Sequence, residues 1–469
     1  MRILTLVVIF ISSLCAGVAD NPDVAGQERL FESWIRAQIT HRSLPGIAVG
    51  VVSDQELVWA KGFGFADVES HTPMSPATKF RMASHSKLFT ATAIMQLRDA
   101  GKLRLDDPVV KYLDWFKVQP AEPDDPPITI EELLTHSAGL PREAGAHWTE
   151  KEFPFADGVR KYVLEHPAPY SPEVRWKYSN LGFTIAGLIV EAVSGEKYAD
   201  YVQKHIFDPL GMTSSSVDKN VAGLASGYGR KMPDGSRVKM PFVDARAMAP
   251  ATGISSTVED MAKFVSLQFR KGPLGGSQIL STGALRDMHR VRVLESTWTR
   301  GNAIGFAVVR EAGKVYVGHG GVYFGYRTQT IIQLDDKVGV IVLTNGDDSS
   351  PSDIAIRLMG TVGDAVAKAV APKTDSVPWD PTWSRFAGLY RSQFGDTEVV
   401  ELNHKLVMFD PANPSPETPV NLIPIGGGRF RFDAPTGGGV VGETVRFVEE
   451  NGKVVRLYTG DSYTDRVQP

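Results

Sequence analysis

A break in pattern near residue 371 constrains this chain more than any other feature. Ala371-Pro372-Lys373-Thr374-Asp375-Ser376-Val377-Pro378 holds two prolines among polar residues and shows no apolar periodicity. Proline lacks a backbone N–H and fixes φ, so neither a helix nor a central strand runs through such a stretch. It reads as a linker. The full 469 residues also exceed what one hydrophobic core usually serves. Two domains with separate cores are therefore expected: residues 20–371, a linker over 372–381, and residues 382–469.

The larger segment mixes strand and helix signals. Residues 46–64 alternate like two strands around the turn Ser53-Asp54-Gln55, with Ile47, Val49 and Val51 on one face. A helix is predicted from about Ser84 to Ala100, with Gly101 past its end. Asp107-Pro108 opens a short helix with proline at its first position. Thr129-x-x-Glu132 forms a capping box for a helix ending near Gly139. Further helices are predicted at Leu181–Val193 and about 259–269. Strands return at 315–319, 328–333 and 338–344, before a closing helix over about 352–370. The fold class is α/β (α+β): one antiparallel sheet joins the N- and C-terminal strands, with the helical middle beside it. Beyond the linker, short alternating runs are divided by Gly and Pro, and Asn451-Gly452 is a hairpin signal. That part reads as a small all-β barrel or sandwich.

Composition removes several functions. A formal charge of −4, without any lysine- or arginine-rich block, excludes a nucleic-acid surface. Residues 1–19 have a charged start, an apolar run from Ile3 to Ile11, and a small-residue ending at Gly17-Val18-Ala19. They read as a secretory signal peptide, too short and interrupted for a membrane anchor. Cys15, the chain's one cysteine, leaves with it. A lipoprotein reading of Cys15 lacks the expected residues before it. The mature chain then has no disulfide, no thiol nucleophile and no thiolate metal site. No membrane span remains, and the expected location is secreted or periplasmic.

The remaining chemistry is Ser-x-x-Lys. A serine hydroxyl needs a base beside it, and residues three apart share a helix face. Ser84-His85-Ser86-Lys87 fits, but so do Ser194–Lys197, Ser216–Lys219 and Ser236–Lys239. Only Ser84 opens a long apolar helix, whose N-terminal N–H groups suit a developing negative charge. Alone, Ser84 could equally be a helix cap. A second element is Tyr178-Ser179-Asn180, just ahead of a helix. A phenol near a lysine cation can lose its proton more easily and act as general base, and Asn180 can hold Lys87 or a substrate amide. The third is His319-Gly320-Gly321 at a strand end, followed by Val322, where glycines permit close approach of another molecule. Read blandly, that run is a β-bulge with a surface histidine. No zinc-binding His-Glu-x-x-His, phosphate loop or Gly-x-Ser-x-Gly elbow occurs, and the histidines show no ligand spacing. No cofactor or metal is expected.

Together these elements resemble the serine β-lactamase and penicillin-recognising family. The similar branch holds class C β-lactamases, D,D-peptidases, D-aminopeptidases and β-lactamase-like esterases. The resemblance runs from about residue 44 to 370. It rests on residues 80–87, Ile128 to Leu140, Tyr178-Ser179-Asn180, 251–257, Gly318-His319-Gly320-Gly321 and 342–345. The C-terminal part resembles the lipocalin-like barrel appended to many such hydrolases, where it could cap a site, recognise substrate or mediate assembly. The resemblance implies Ser84 as acylated nucleophile, Lys87 as its activator and Tyr178 as proton shuttle. It also implies that Asn180 orients substrate and that the amides of Ser84 and Val322 form an oxyanion hole. His319 departs from the Lys-Thr-Gly usual in β-lactamases. A mostly neutral histidine anchors a carboxylate less well.

The expected function is a secreted serine hydrolase of esterase or D-aminopeptidase type, acting on a small ester, amide or D-amino-acid peptide. A D-alanyl-D-alanine carboxypeptidase or β-lactamase is the alternative within that chemistry. A non-catalytic binding or matrix protein that kept the fold is the alternative outside it.

Overall fold

The computed structural model describes residues 18–217, 220–272, 277–311, 313–371, 377–412, 419–433 and 441–468. Residues 1–17, with Cys15 and most of the expected leader, lie outside the described residues. So do Lys219 and positions 372–376 of the expected linker. The chain divides into two compact units between Ala371 and Pro372.

The first unit is built on a nine-stranded antiparallel sheet. Its order is Thr72–Pro73, Glu56–Asp67, Gly46–Ser53, Val338–Thr344, Tyr326–Gln333, Lys314–Tyr323, Ala307–Glu311, Arg300–Asn302 and Val293–Leu294. The N-terminal hairpin meets the late strands where Ile47 pairs with Thr344 and Ser53 with Val338. Both central strands are buried along their whole length. They are covered on both faces, which is why they read as near-continuous apolar runs. Ile47, Val49 and Val51 share one core with the helix Pro22–Arg42 and the closing helix, whereas Ala48 and Val52 face a larger core holding the other helices.

Helices form where caps and apolar stripes agree. Thr129 and Glu132 make the reciprocal capping box, and the helix Ile130–Thr135 stops at His136 in left-handed geometry, earlier than Gly139. Pro108 does not open a helix; it is the extended residue before a 3₁₀ turn, Val109–Lys111. The closing helix runs from Pro351 to Val370 with a π-bulge at Met359–Gly363. Among the described residues no helix is long and apolar enough to cross a membrane.

The second unit is a closed eight-stranded barrel. Tyr390 pairs with Arg466, so first and last strands close the ring and leave no edge. Asn451 and Gly452 both have positive φ, as a two-residue hairpin turn requires. Trp379 meets Trp383 edge-on at 5.5 Å, so packing of this unit starts ahead of residue 382.

The helix Asn180–Ser194 crosses the short helix Ala249–Thr252 at Gly187, where an added Cβ would lie 2.1 Å from Cγ of Pro250. Gly187→Val is expected to destabilise the fold by about 1–3 kcal/mol through overpacking. The urea unfolding midpoint measures this.

Candidate active site

Ser84 lies on a 3₁₀ turn, Ala83–His85, immediately ahead of the helix Ser86–Asp99. The turn leaves the buried strand Phe80–Arg81, which pairs with Ile254–Ser256. Ala83 then takes φ 51°, a conformation costly for a residue with a Cβ. Ser86 fastens the turn: its Oγ donates to the Ala83 carbonyl at 2.7 Å and accepts from the Ile254 N–H at 2.9 Å. The two serines of the motif thus point to different tasks.

Lys87, one turn on, is fully buried. Its Nζ donates to Asn180 Oδ1 at 2.6 Å and to the Ala251 carbonyl at 2.9 Å, and lies 3.2 Å from Ser84 Oγ, a contact in which a neutral amine accepts from the hydroxyl. Tyr178 donates its hydroxyl to Ser84 Oγ at 2.7 Å. Asn180 is the first residue of its helix, which is capped by Ser179 accepting from the Gly182 N–H. The Asn180 amide then donates to Glu143 at 2.7 Å, and Glu143 also takes a bond from His147 at 2.9 Å. His136 accepts from the Ser179 N–H at 3.1 Å and packs on the Tyr178 ring, centroids 4.3 Å apart.

The His319-Gly320-Gly321 run lies inside a strand rather than at its end. Lys314–Tyr323 pairs with Tyr326–Gln333 in unbroken register from Tyr316 to Tyr323, without a bulge. On the other side the neighbouring strand stops opposite Gly318, so among the described residues no strand pairs with Gly320–Val322 there. The strand touches the serine turn: a Cβ on Gly321 would lie 2.5 Å from the Met82 carbonyl and 3.0 Å from Ala83 Cβ. Ser84, Tyr178, Asn180, His319, Gly320, Gly321 and Val322 all line one cavity of about 660 Å³, with Lys87 buried beneath Ser84. Arg142, Arg327 and Asp353 line it too. Among the described residues no cluster of His, Cys, Asp or Glu is placed to hold a metal ion.

A family profile described as Beta-lactamase matches residues 31–360, well over half of the chain. The chain belongs to the beta-lactamase family. The protein PbpX of Bacillus subtilis (strain 168) is 34% identical over 218 residues, 46% of this chain and 52% of PbpX. The chain spans about half the length, or less, of the curated relatives it matches. The octameric penicillin-binding protein homologue from Pyrococcus abyssi is similar over 93% of this chain and 99% of its own, at 25% identity and a TM-score of 0.65. A D-stereospecific amidohydrolase from Streptomyces sp. shares the fold over 72% of this chain and 98% of its own, at 20% identity and a TM-score of 0.60.

Burial sets the protonation states in this beta-lactamase-family site. It holds the Lys87 amine well below the usual lysine range; the Glu143 carboxylate opposes this and the Arg142 guanidinium adds to it. Burial also pushes the Tyr178 phenol up to about 12, outweighing the bond to Ser84. Burial thus favours the protonated phenol of Tyr178 and the neutral amine of Lys87, opposite in direction to the sequence-based expectation of an easily formed phenolate. Burial lowers His85 to about 3, His319 to about 4, and His136 well below its ordinary value. In Glu143 the raising effect of burial is outweighed by bonds such as those from His147 and Asn180, and the carboxyl stays below its usual range.

Sequence reasoning missed His85, His136, Glu143 and the Ala251 carbonyl. His85 sits inside the quoted motif, yet it points into the sheet, where its ring nitrogens meet the hydroxyls of Thr328 and Thr330 at 2.9 Å each. A doubled threonine, Thr328-Gln329-Thr330, facing one side of a strand was the available signal.

His85 and His136 are neutral when folded and take up protons below about pH 6.5 when unfolded. Stability is therefore fully present above that pH and lost as pH falls toward the folded values, at about 1.4 kcal/mol per pH unit per histidine. Urea midpoints measured from pH 7 to pH 4.5 are expected to fall steeply, and His85→Gln should lower the slope by about one proton.

Proposed function

We propose that the protein is a secreted or periplasmic serine hydrolase that forms an acyl-enzyme at Ser84 and cleaves an ester or amide, of esterase or D-aminopeptidase type. The observation that carries this reading is the array Lys87 Nζ, Ser84 Oγ and Tyr178 OH, joined at 3.2 and 2.7 Å. A base within reach of a serine is what covalent acyl transfer needs.

Neutral Lys87 takes the Ser84 proton as Oγ attacks the substrate carbonyl. The resulting oxyanion lies against the amides of Ser84 and Val322. As the C–O or C–N bond breaks, Tyr178 gives its proton to the departing oxygen or nitrogen, and the Lys87 ammonium restores it. Water then attacks the acyl-enzyme along the reverse route, releasing the acid and free Ser84. Asn180, held by Glu143, keeps its carbonyl on Lys87 throughout. The D-stereospecific amidohydrolase among the structural relatives fits the amide branch of this reading.

One observation favours a D-alanyl-D-alanine carboxypeptidase or β-lactamase as second reading. Arg327 lines the cleft, and among the described residues its buried Nε has no hydrogen-bond partner. A guanidinium at the cleft wall suits a substrate carboxylate. A non-catalytic binding or matrix role leaves the buried Lys87–Ser84–Tyr178 array without a purpose.

Incubation with a fluorophosphonate is expected to add one adduct on Ser84, and Ser84→Ala to lower ester turnover by on the order of 10⁶. An unlabelled Ser84 in folded protein that turns over no ester sinks the reading. Rates on p-nitrophenyl esters, nitrocefin and D-Ala-D-Ala peptides divide the two hydrolase readings. His319→Lys should shift preference toward the substrates that carry a carboxylate.

A further inference from the structure

A second, smaller cavity of about 170 Å³ opens beside the main cleft. The two share Trp176, Tyr178, His319 and Gly320. Its own walls come from Leu134, His136, Asn302, Ala303, Gly305, Phe306 and Ala307. Among the described residues, no lysine, arginine or carboxylate lines it, and neither Ser84 nor Val322 belongs to its wall. The main cleft, by contrast, carries Arg142, Arg327 and Asp353.

From these observations we propose that the side pocket receives the leaving group of the substrate, an uncharged apolar alcohol or amine portion up to about the size of a phenyl ring. The proposal rests on the acyl-enzyme reading above. Size comes first: an apolar cavity of about 150 Å³ admits benzene. Polarity agrees, because a charged leaving group would lose its hydration there without a partner. Position decides between the two ends of the substrate. The departing atom must lie within reach of its proton donor, and the pocket wall holds Tyr178 while excluding the proposed oxyanion donors. The charged main cleft then takes the acyl portion.

The pocket is formed before anything binds. Gly305 has φ 78°, donates its N–H to the Leu134 carbonyl at 3.1 Å, and lies so near the serine helix that a Cβ would meet Ala91 at 2.7 Å. His136 is fixed by the bond from the Ser179 N–H. No lid or loop movement is needed to build the walls.

Two ester series test this. In one, acetate is fixed and the alcohol runs from methyl through isobutyl and benzyl to naphthylmethyl. In the other, methanol is fixed and the acid varies from acetate to phenylacetate. All acetates pass through one acetyl-enzyme, so deacylation is common and only acylation can differ. kcat/KM is expected to rise on the order of 10- to 100-fold from methyl to benzyl acetate, and to fall again for naphthylmethyl. Ala303→Phe fills the pocket and should lower the benzyl-to-methyl ratio at least tenfold. Ala307→Phe at the more exposed rim should do the same, and it keeps the test alive if the buried variant fails to fold. A flat alcohol series, a ratio untouched by a folded variant, or selectivity confined to the acid series overturns the pocket's role alone. No turnover of any ester with Ser84 unlabelled overturns the hydrolase reading, and the pocket's role falls with it.

Discussion

The site depends on taking one amine out of water. Lys87 is fully buried, and its three hydrogen-bond partners are a hydroxyl, an amide oxygen and a backbone carbonyl. None carries a full negative charge, and Glu143 acts on the amine only from beyond Asn180. Removing an ammonium from water without a direct counter-ion is unfavourable enough that the neutral form gains. Everything around the site serves to hold that arrangement. The serine helix supplies the lysine, the Asn180–Ser194 helix the amide, and the Ala249–Thr252 turn the carbonyl. A shift of any one of these would let in water, and with it the ordinary basicity of lysine.

The same dryness acts on the neighbouring groups. His85, His136 and His319 are all held neutral, and Tyr178 is held protonated. Lowering a lysine's basicity and raising a phenol's come from one cause, because burial disfavours whichever form is charged. The outcome is a pair of groups with opposite readiness, one to accept a proton and one to give it. Strain at Ala83 and the close pass of Gly321 fit this picture: backbone is pressed against backbone where solvent would otherwise enter.

Much of this was legible in the sequence, for reasons that differ by residue. Ser84, Lys87, Tyr178 and Asn180 stand at element starts, where spacing and capping leave a trace, and all four meet in one hydrogen-bond network. Glu143 and the Ala251 carbonyl leave none: one carboxylate in a loop and one backbone oxygen belong to no pattern. The helix Pro22–Arg42 went unseen because only Val24, Phe31 and Ile35 are buried along its 21 residues, too thin a stripe to register. The cleft strand was cut short because the glycines at 318, 320 and 321 lower its apparent strand character, although pairing runs unbroken to Tyr323. The barrel announced itself through the Asn451-Gly452 turn and its alternating runs, but the packing of Trp379 ahead of the barrel depends on a tertiary contact.

The pairing of Ile47 with Thr344 at the centre of the sheet also sets a clock. Those residues are about 300 positions apart in sequence, so on a ribosome making roughly 5–20 residues per second the first strand waits about 15–60 s for its neighbour. Until then the N-terminal hairpin has one open edge and lacks the closing helix that covers it. Cooperative folding of this unit thus waits for synthesis through the closing helix, and the nascent chain remains open to chaperones, or to any machinery that threads an extended polypeptide, for most of its own production.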